Sequence, residues 1–289
     1  MNVRNVLSQG YPFVQSIVAA LPICKEFVIS DGYSNDGTFE TLKALRDKYP
    51  KIDLVRLHWE TSFINTRFGE VIAKTANQTR ELCSGKYLFY VQANEVVHEK
   101  SIDSIKELPS LFPYVEIFHL PYMLILGKNL VLEFQFRARL FKNIPDIAVV
   151  KDAAQVSYTY KAMLKRAIAI MLKINKKNKI YDVFTRGGMD SRLFMHAYLP
   201  KPIFRYIGLS RDAYLNKLKG HENLFKTVKA SFKKDESILS TERSFQNFYK
   251  RIMADKASGL ISSHIIKIPF SEHPKVMRNV LKHGVKLLE

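Results

Sequence analysis

The sequence predicts an α/β fold, with a mainly parallel sheet flanked by helices and a basic, largely helical C-terminal region, on three observations. Short apolar runs alternate with amphipathic stretches through the first half, which is the pattern of βαβ units. Two of those runs stop abruptly in acidic or amide residues, at Asp31 and at Gln92 to Glu95. Beyond Asp152 the texture turns to lysine-rich helical stretches, with no second βαβ series and no repeat of fixed period. The expected organisation is a core over 1–150 and a region 151–289 packed on it.

The elements follow in order. A short strand is expected near Val3 to Leu7, then a helix from Tyr11 to Leu21 with Pro12 in its first turn, where a missing N–H costs nothing. The apolar run Phe27 to Ser30 reads as a buried strand, and a helix from Thr38 to Lys48 leads to a strand Ile52 to Leu57. A longer helix covers Gly69 to Cys83, Gly85 marks its end, and the strand Tyr87 to Val91 follows. After a helix from Ser101 to Leu108, strands are expected at Val115 to Tyr122 and at Glu133 to Phe141. The latter alternates Phe134, Phe136, Ala138 and Leu140 with Gln135, Arg137 and Arg139, which places both arginines on one face. That face is either the solvated or salt-bridged side of an edge strand or a holder of diphosphate.

Composition sets the class. The 289 residues are 47% apolar and 25% charged, ordinary for a globular chain. The longest apolar patches, Leu108 to Leu126 and Ala162 to Ile174, are broken by prolines and by Lys165, Arg166 and Lys173, so neither reads as a membrane span. The start, Met1 to Arg4, lacks a cationic segment followed by an apolar core, and a cytoplasmic protein is expected. Cys24 and Cys83 are too few for a zinc site or a disulfide framework and read as buried free thiols.

The net charge of +18 is uneven: residues 1–150 hold 17 Lys+Arg against 16 Asp+Glu, and residues 151–289 hold 28 against 11. Such a surface attracts phosphate, whether on an acceptor, on an anionic membrane or on nucleic acid. No RNA-binding or helix-turn-helix motif is present, so nucleic acid is not the expected partner. The stretch Ala162 to Ile174, ringed by lysines, is either a core helix with a cationic end or a basic helix lying peripherally on a membrane surface.

The first motif is Lys25 to Thr38, Lys-Glu-Phe-Val-Ile-Ser-Asp-Gly-Tyr-Ser-Asn-Asp-Gly-Thr, in which a strand runs into an acidic, glycine-bearing turn that opens a helix. Ligands of open α/β sheets collect beyond the carboxyl ends of such strands. Asp36 is placed to cap the helix. The second motif is Tyr87 to Glu95, Tyr-Leu-Phe-Tyr-Val-Gln-Ala-Asn-Glu. Together the two resemble family 2 glycosyltransferases of the GT-A fold, whose first motif reads roughly Asp-Asp-Gly-Ser-Thr-Asp-Gly-Thr and whose second is Asp-X-Asp. Tyr33 is an extra residue against that pattern, Ser30 replaces its first acidic residue, and Gln92-Ala-Asn-Glu95 stands where Asp-Ala-Asp-Asp is expected.

The resemblance implies a GT-A-like core that moves a sugar, with inversion, from a nucleoside-diphosphate sugar to a glycan, lipid-phosphate or protein acceptor. It implies donor contacts at Asp31, Asp36, Asn77 and Gln92, with Arg137 and Arg139 on the diphosphate through the segment Arg137-Ala-Arg-Leu-Phe-Lys142. Mg²⁺ or Mn²⁺ would be held, weakly, by Asn94 and Glu95. The catalytic base would be Asp152, or Asp190 in the glycine loop Arg186 to Arg192, or neither of the two. His98 is either a donor or metal contact or a surface residue, and His273, in Pro269 to Met277, lies in a segment whose expected task is docking the C-terminal tail. The competing reading is a non-catalytic scaffold that keeps a nucleotide pocket and binds membranes or partners, because the second motif is degenerate.

Overall fold

The computed structural model describes residues 1–59, 68–125, 130–150, 153, 155–173, 194–206 and 265–282, and it is a mixed α/β structure with a parallel sheet and helices. In the first third, β1 (Asn2–Val3), α1 (Phe13–Ala20), β2 (Phe27–Asp31), α2 (Thr38–Lys48) and β3 (Ile52–Arg56) form a three-stranded sheet of order β1-β2-β3. Both pairings are parallel, with Val3 opposite Asp31 and Asp31 opposite Arg56. The helices cover the sheet through Phe13, Ile17 and Leu42, which are buried in one cluster with Ile29 and Ile52 of the strands. Each such apolar side chain stabilises the fold by roughly 1.5–3 kcal/mol relative to exposure.

Among the described residues the second sheet has seven strands. Its elements are α3 (Phe68–Glu81), β4 (Tyr87–Phe89), β5 (Glu95–Val97), α4 (Ile102–Leu111), β6 (Ile117–Ile125) and β7 (Leu130–Lys142), with β10 (Phe194–His196), β11 (Ile203–Tyr206) and β12 (Ile265–Lys267). The order is β12-β7-β6-β11-β5, with β10 also on β6 and β4 also on β7. Here β10 and β11 run parallel to β6, and the other pairings are antiparallel. A separate hairpin joins β8 (Ile147–Val150) to β9 (Gln155–Tyr158), followed by α5 (Tyr160–Lys173), and α6 (Lys275–Lys282) ends the described chain.

Two expectations change. β7 is not an edge strand: β6 lies along one side of it and β4 and β12 along the other. The region after residue 150 also supplies strands, since β10, β11 and β12 complete the large sheet. These strands are three or four residues long, too short for a period to show in sequence, and pairing with β6 and β7 defines them. The sheet is covered on both faces. Ile117, Ala138, Phe141 and Tyr158 belong to one cluster, and Phe118, Leu120, Leu140 and Ile203 to another.

Candidate functional site

Asp31 is the last residue of β2 and is fully buried. Its carboxylate accepts the Ser34 N–H at 3.1 and 3.3 Å and the Arg56 Nε–H at 3.1 Å, so it shapes the turn and anchors a guanidinium. Parallel pairing causes this, because it sets the last residues of β2 and β3 side by side. The Arg56 guanidinium lies between two rings, 4.4 Å from the Tyr33 centroid and 4.1 Å from that of Phe39. Tyr33 stacks on His58 at 3.9 Å and an interplanar angle of 14°. The result is an exposed layer of His58, Tyr33 and Arg56 above a buried carboxylate.

The backbone of this turn is specialised. Tyr33, the extra residue, takes φ of +57°, a left-handed conformation rare for a residue with a side chain. A Cβ at Gly32 would meet the Trp59 indole at 2.6 Å, so only glycine lets Trp59 close on the chain. The buried Trp59 Nε1–H has no hydrogen-bond partner among the described residues.

Asp36 holds the other side of the turn. Its oxygens accept the Ser8 N–H at 2.7 Å and the Thr38 N–H at 3.0 Å, while Gly37, at φ of +90°, takes the position before the helix. Burial alone would raise its carboxyl, but the hydrogen bonds from Ser8 and Thr38 outweigh that and hold it below the usual range. Asn77 is fully engaged by backbone: its amide donates to Ala73 O at 2.9 Å and Val149 O at 2.8 Å, and its oxygen accepts the Val149 N–H at 2.9 Å. It clips α3 to β8.

The second motif forms a turn braced from below by Ser16, whose hydroxyl donates to the carbonyls of Gln92 and Glu95. Gln92 Nε2 donates to Ala153 O at 2.9 Å. Glu95 is fully buried and closed by Arg139, with Nη2 to Oε1 at 2.7 Å and Nε to Oε2 at 2.9 Å. Burial alone would raise the Glu95 carboxyl; the charge and hydrogen bonds of Arg139, with Arg205 adding, hold it below the usual range. Arg139 also lies over the Tyr90 ring, and the Tyr90 hydroxyl donates to Asn2 Oδ1 at 3.1 Å, on the strand beside β2. Thus Gln92, Glu95 and Arg139 meet. Arg137 lies instead over Tyr122, 5.8 Å from its centroid.

These donors do not fit a divalent cation. The single carboxylate of the motif is taken by a buried guanidinium, and among the described residues no three His, Cys, Asp or Glu are placed to hold a metal. Asn94 is buried, with its Nδ2 unpartnered among the described residues. His98 is not a surface residue: it is buried, and its Nδ1 accepts the Lys100 N–H to open a 3₁₀ turn. His273 is buried against the Tyr206 hydroxyl at 3.0 Å. Asp152 and Asp190 lie outside the described residues.

Sequence reasoning missed Arg56, His58, Tyr122 and Arg205. Arg205 is the one charged residue in the apolar run Ile203 to Tyr206, and that was its available signal. A cavity of about 540 Å³ lies at the amino ends of β2 and β4, lined by Cys24, Phe27, Cys83 and Leu88. That is the end of β2 away from Asp31. The two cysteines there are free and half-buried, and burial pushes both thiols up.

No protein-family model matches the sequence, and no curated protein matches it either. The fold is similar to that in the crystal structure of S. aureus TarS, with a TM-score of 0.40 and 12% identity, over 88% of this chain and 42% of that one. The chain thus spans less than half the length of TarS, and a likeness of this degree carries no functional argument. Among the described residues no helix is long and apolar enough to cross a membrane.

Proposed function

We propose that the chain is a GT-A-type glycosyltransferase that takes a nucleoside-diphosphate sugar and transfers the sugar with inversion to a glycan, lipid-phosphate or protein acceptor. The observation that carries this is the layer of His58, Tyr33 and Arg56 held by buried Asp31 at the carboxyl ends of parallel strands. Flat rings and an anchored guanidinium offer a nucleoside a stacking surface and hydrogen-bond donors, at the end of the sheet where ligands collect. Asp31 acts in this reading by fixing Arg56 and the turn. Transfer then needs a base that takes the acceptor's hydroxyl proton while the bond from the anomeric carbon to the diphosphate breaks. Asp152 is our assignment, because its chain neighbour Ala153 holds the Gln92 side chain; Asp190 is the alternative.

The test is thermal stabilisation by UDP, GDP, dTDP and their sugars, with Asp31→Asn as the control that keeps the shape of the side chain. Stabilisation by one nucleotide that falls about tenfold in affinity in the variant is expected, since a charged hydrogen-bonded anchor is lost. No stabilisation by any nucleotide would sink the reading. The Arg139 closure of Glu95 favours a second reading, a scaffold that binds nucleotide without turnover. Binding of the matched donor sugar with no release of free sugar or acceptor product would select it.

A further inference from the structure

β2 belongs to the three-stranded sheet and β4 to the seven-stranded one, so no ladder of hydrogen bonds closes the space between their amino ends. That space is the cavity of about 540 Å³, and small-molecule sites occupy about 300–1,000 Å³. It lies at the end of β2 away from Asp31, and the proposed transfer makes no use of it. Its wall is mainly apolar. Phe27 and Leu88 come from the two strands, Leu140 from β7 and Ile105 from α4, and all four are buried. Cys24 and Cys83 complete it; burial pushes both thiols up, so they stay protonated at neutral pH and act as small apolar groups.

The charged side chains among the lining are Lys25, Lys86, Lys106 and Glu26. All three lysines are exposed, which sets them at the mouth. The Glu26 carboxylate is engaged by the loop before β4: its Oε1 accepts the Ser84 N–H at 2.7 Å, the Ser84 hydroxyl at 2.9 Å and the Gly85 N–H at 3.0 Å. Lys106 has Asp103 at 3.9 Å, an exposed pair that water screens. The mouth is therefore mainly cationic over an apolar interior. The approach is apolar as well. Leu111 and Tyr114 are exposed after α4, on a loop that the lining residue Tyr87 holds by donating its hydroxyl to the Val115 carbonyl at 3.1 Å.

An occupant must match both parts. A compact anion leaves the apolar wall against water, and a neutral hydrocarbon gains nothing from the lysines. At about 30 Å³ per methylene, near the volume of one water molecule, the space takes one alkyl chain of roughly twelve to sixteen carbons. We propose that this cavity binds a single-chain fatty acid, with its alkyl chain among Phe27, Leu88, Ile105 and Leu140 and its carboxylate at Lys25, Lys86 and Lys106.

The experiment is calorimetric titration of the full chain with dodecanoate below its micelle concentration, beside octanoate and dodecanol, with N-ethylmaleimide labelling to report where the ligand sits. Cys24 and Cys83 are the two cysteines of the chain and both line the cavity, so every labelled thiol reads this place. Dodecanoate is expected to bind and to slow the labelling of both by about tenfold. Octanoate, shorter by four methylenes, should bind about a hundredfold more weakly. Lys25→Gln combined with Lys86→Gln, at exposed positions where folding is not at stake, should weaken dodecanoate about fivefold and leave dodecanol unchanged. Dodecanoate binding that leaves both thiols as reactive as before would put the ligand elsewhere on the basic surface and overturn the proposal. Equal affinity for octanoate, unchanged affinity in the lysine variant, or no binding at all would overturn it too. None of these outcomes depends on nucleotide binding, so the site and the proposed function stand or fall separately.

Discussion

Asn77 sits on α3 with every polar atom of its side chain committed to the backbone of Ala73 and Val149. Asn77→Ala strands both the N–H and the carbonyl of Val149 in a half-buried seam, so a loss of about 2–3 kcal/mol is expected in chemical denaturation. A loss below about 0.5 kcal/mol, accompanied by weaker nucleotide binding, would instead make Asn77 a ligand contact. The same logic explains which site residues were legible in sequence. Asp31 and Glu95 announce themselves because each ends an apolar run, and the chain alone shows that. What each carboxylate does depends on a partner across the sheet, Arg56 by parallel register and Arg139 beside a bulge between β6 and β7, and strand register is not written locally. The period of two expected in β7 breaks at the bulge opposite Phe118 and His119, where Ala138 and Leu140 fall in different core clusters, and Arg139 is buried against Glu95 and Tyr90.

At the scale of elements, β6 and α5 each carry a feature with a measurable consequence. His119 on β6 faces His196 across the β6–β10 pairing with ring centres 5.0 Å apart, and burial, then the neighbouring His196, lower its pKa to about 4. A folded value below the ordinary 6.5 means the unfolded chain binds more protons between those limits. The stability is therefore complete above about pH 6.5 and is lost as the pH falls toward 4, by on the order of 2 kcal/mol after allowing for solvent screening of a part-exposed ring. His119→Phe should remove that stretch of the pH–stability curve; an identical curve would refute the account. On α5, Tyr160, Leu164 and Ile168 are exposed at four-residue spacing with Lys161 and Lys165 beside them. We propose that this face rests on anionic lipid, for which an apolar stripe flanked by lysines is the matching chemistry. Co-sedimentation with phosphatidylglycerol vesicles should exceed that with neutral vesicles by about fivefold, and Leu164→Glu with Ile168→Glu should abolish the excess. Equal binding to both kinds of vesicle would end the proposal. The long elements, α2 above all, were readable because two or three turns of period accumulate; β8 to β12 were not, because four residues or fewer hold no period.

For the whole molecule, the question is whether the basic C-terminal half is a passenger or part of the fold. Charge separates the halves, but the hydrogen bonds do not: β12 pairs with β7, and β11 lies between β5 and β6. The last described segment ties back to the first. α6 lies against α1, Met277 and Leu281 on it are buried one turn apart, the Lys275 N–H donates to Glu99 at 3.1 Å, and His273 is held by Tyr206. α1 is also the helix whose Ser16 braces the turn before Glu95, so the tail supports the site through one intervening helix. If the tail is integral, a cavity under α6 must weaken the entire structure together with that turn. Met277→Ala is therefore expected to cost about 2–5 kcal/mol and to lower a single thermal transition by roughly 5–15 °C, with nucleotide affinity lost over the same range. A transition left in place, with proteolysis now confined to residues after Ile265, would show that the tail opens alone and that the sheet and its site stand without it.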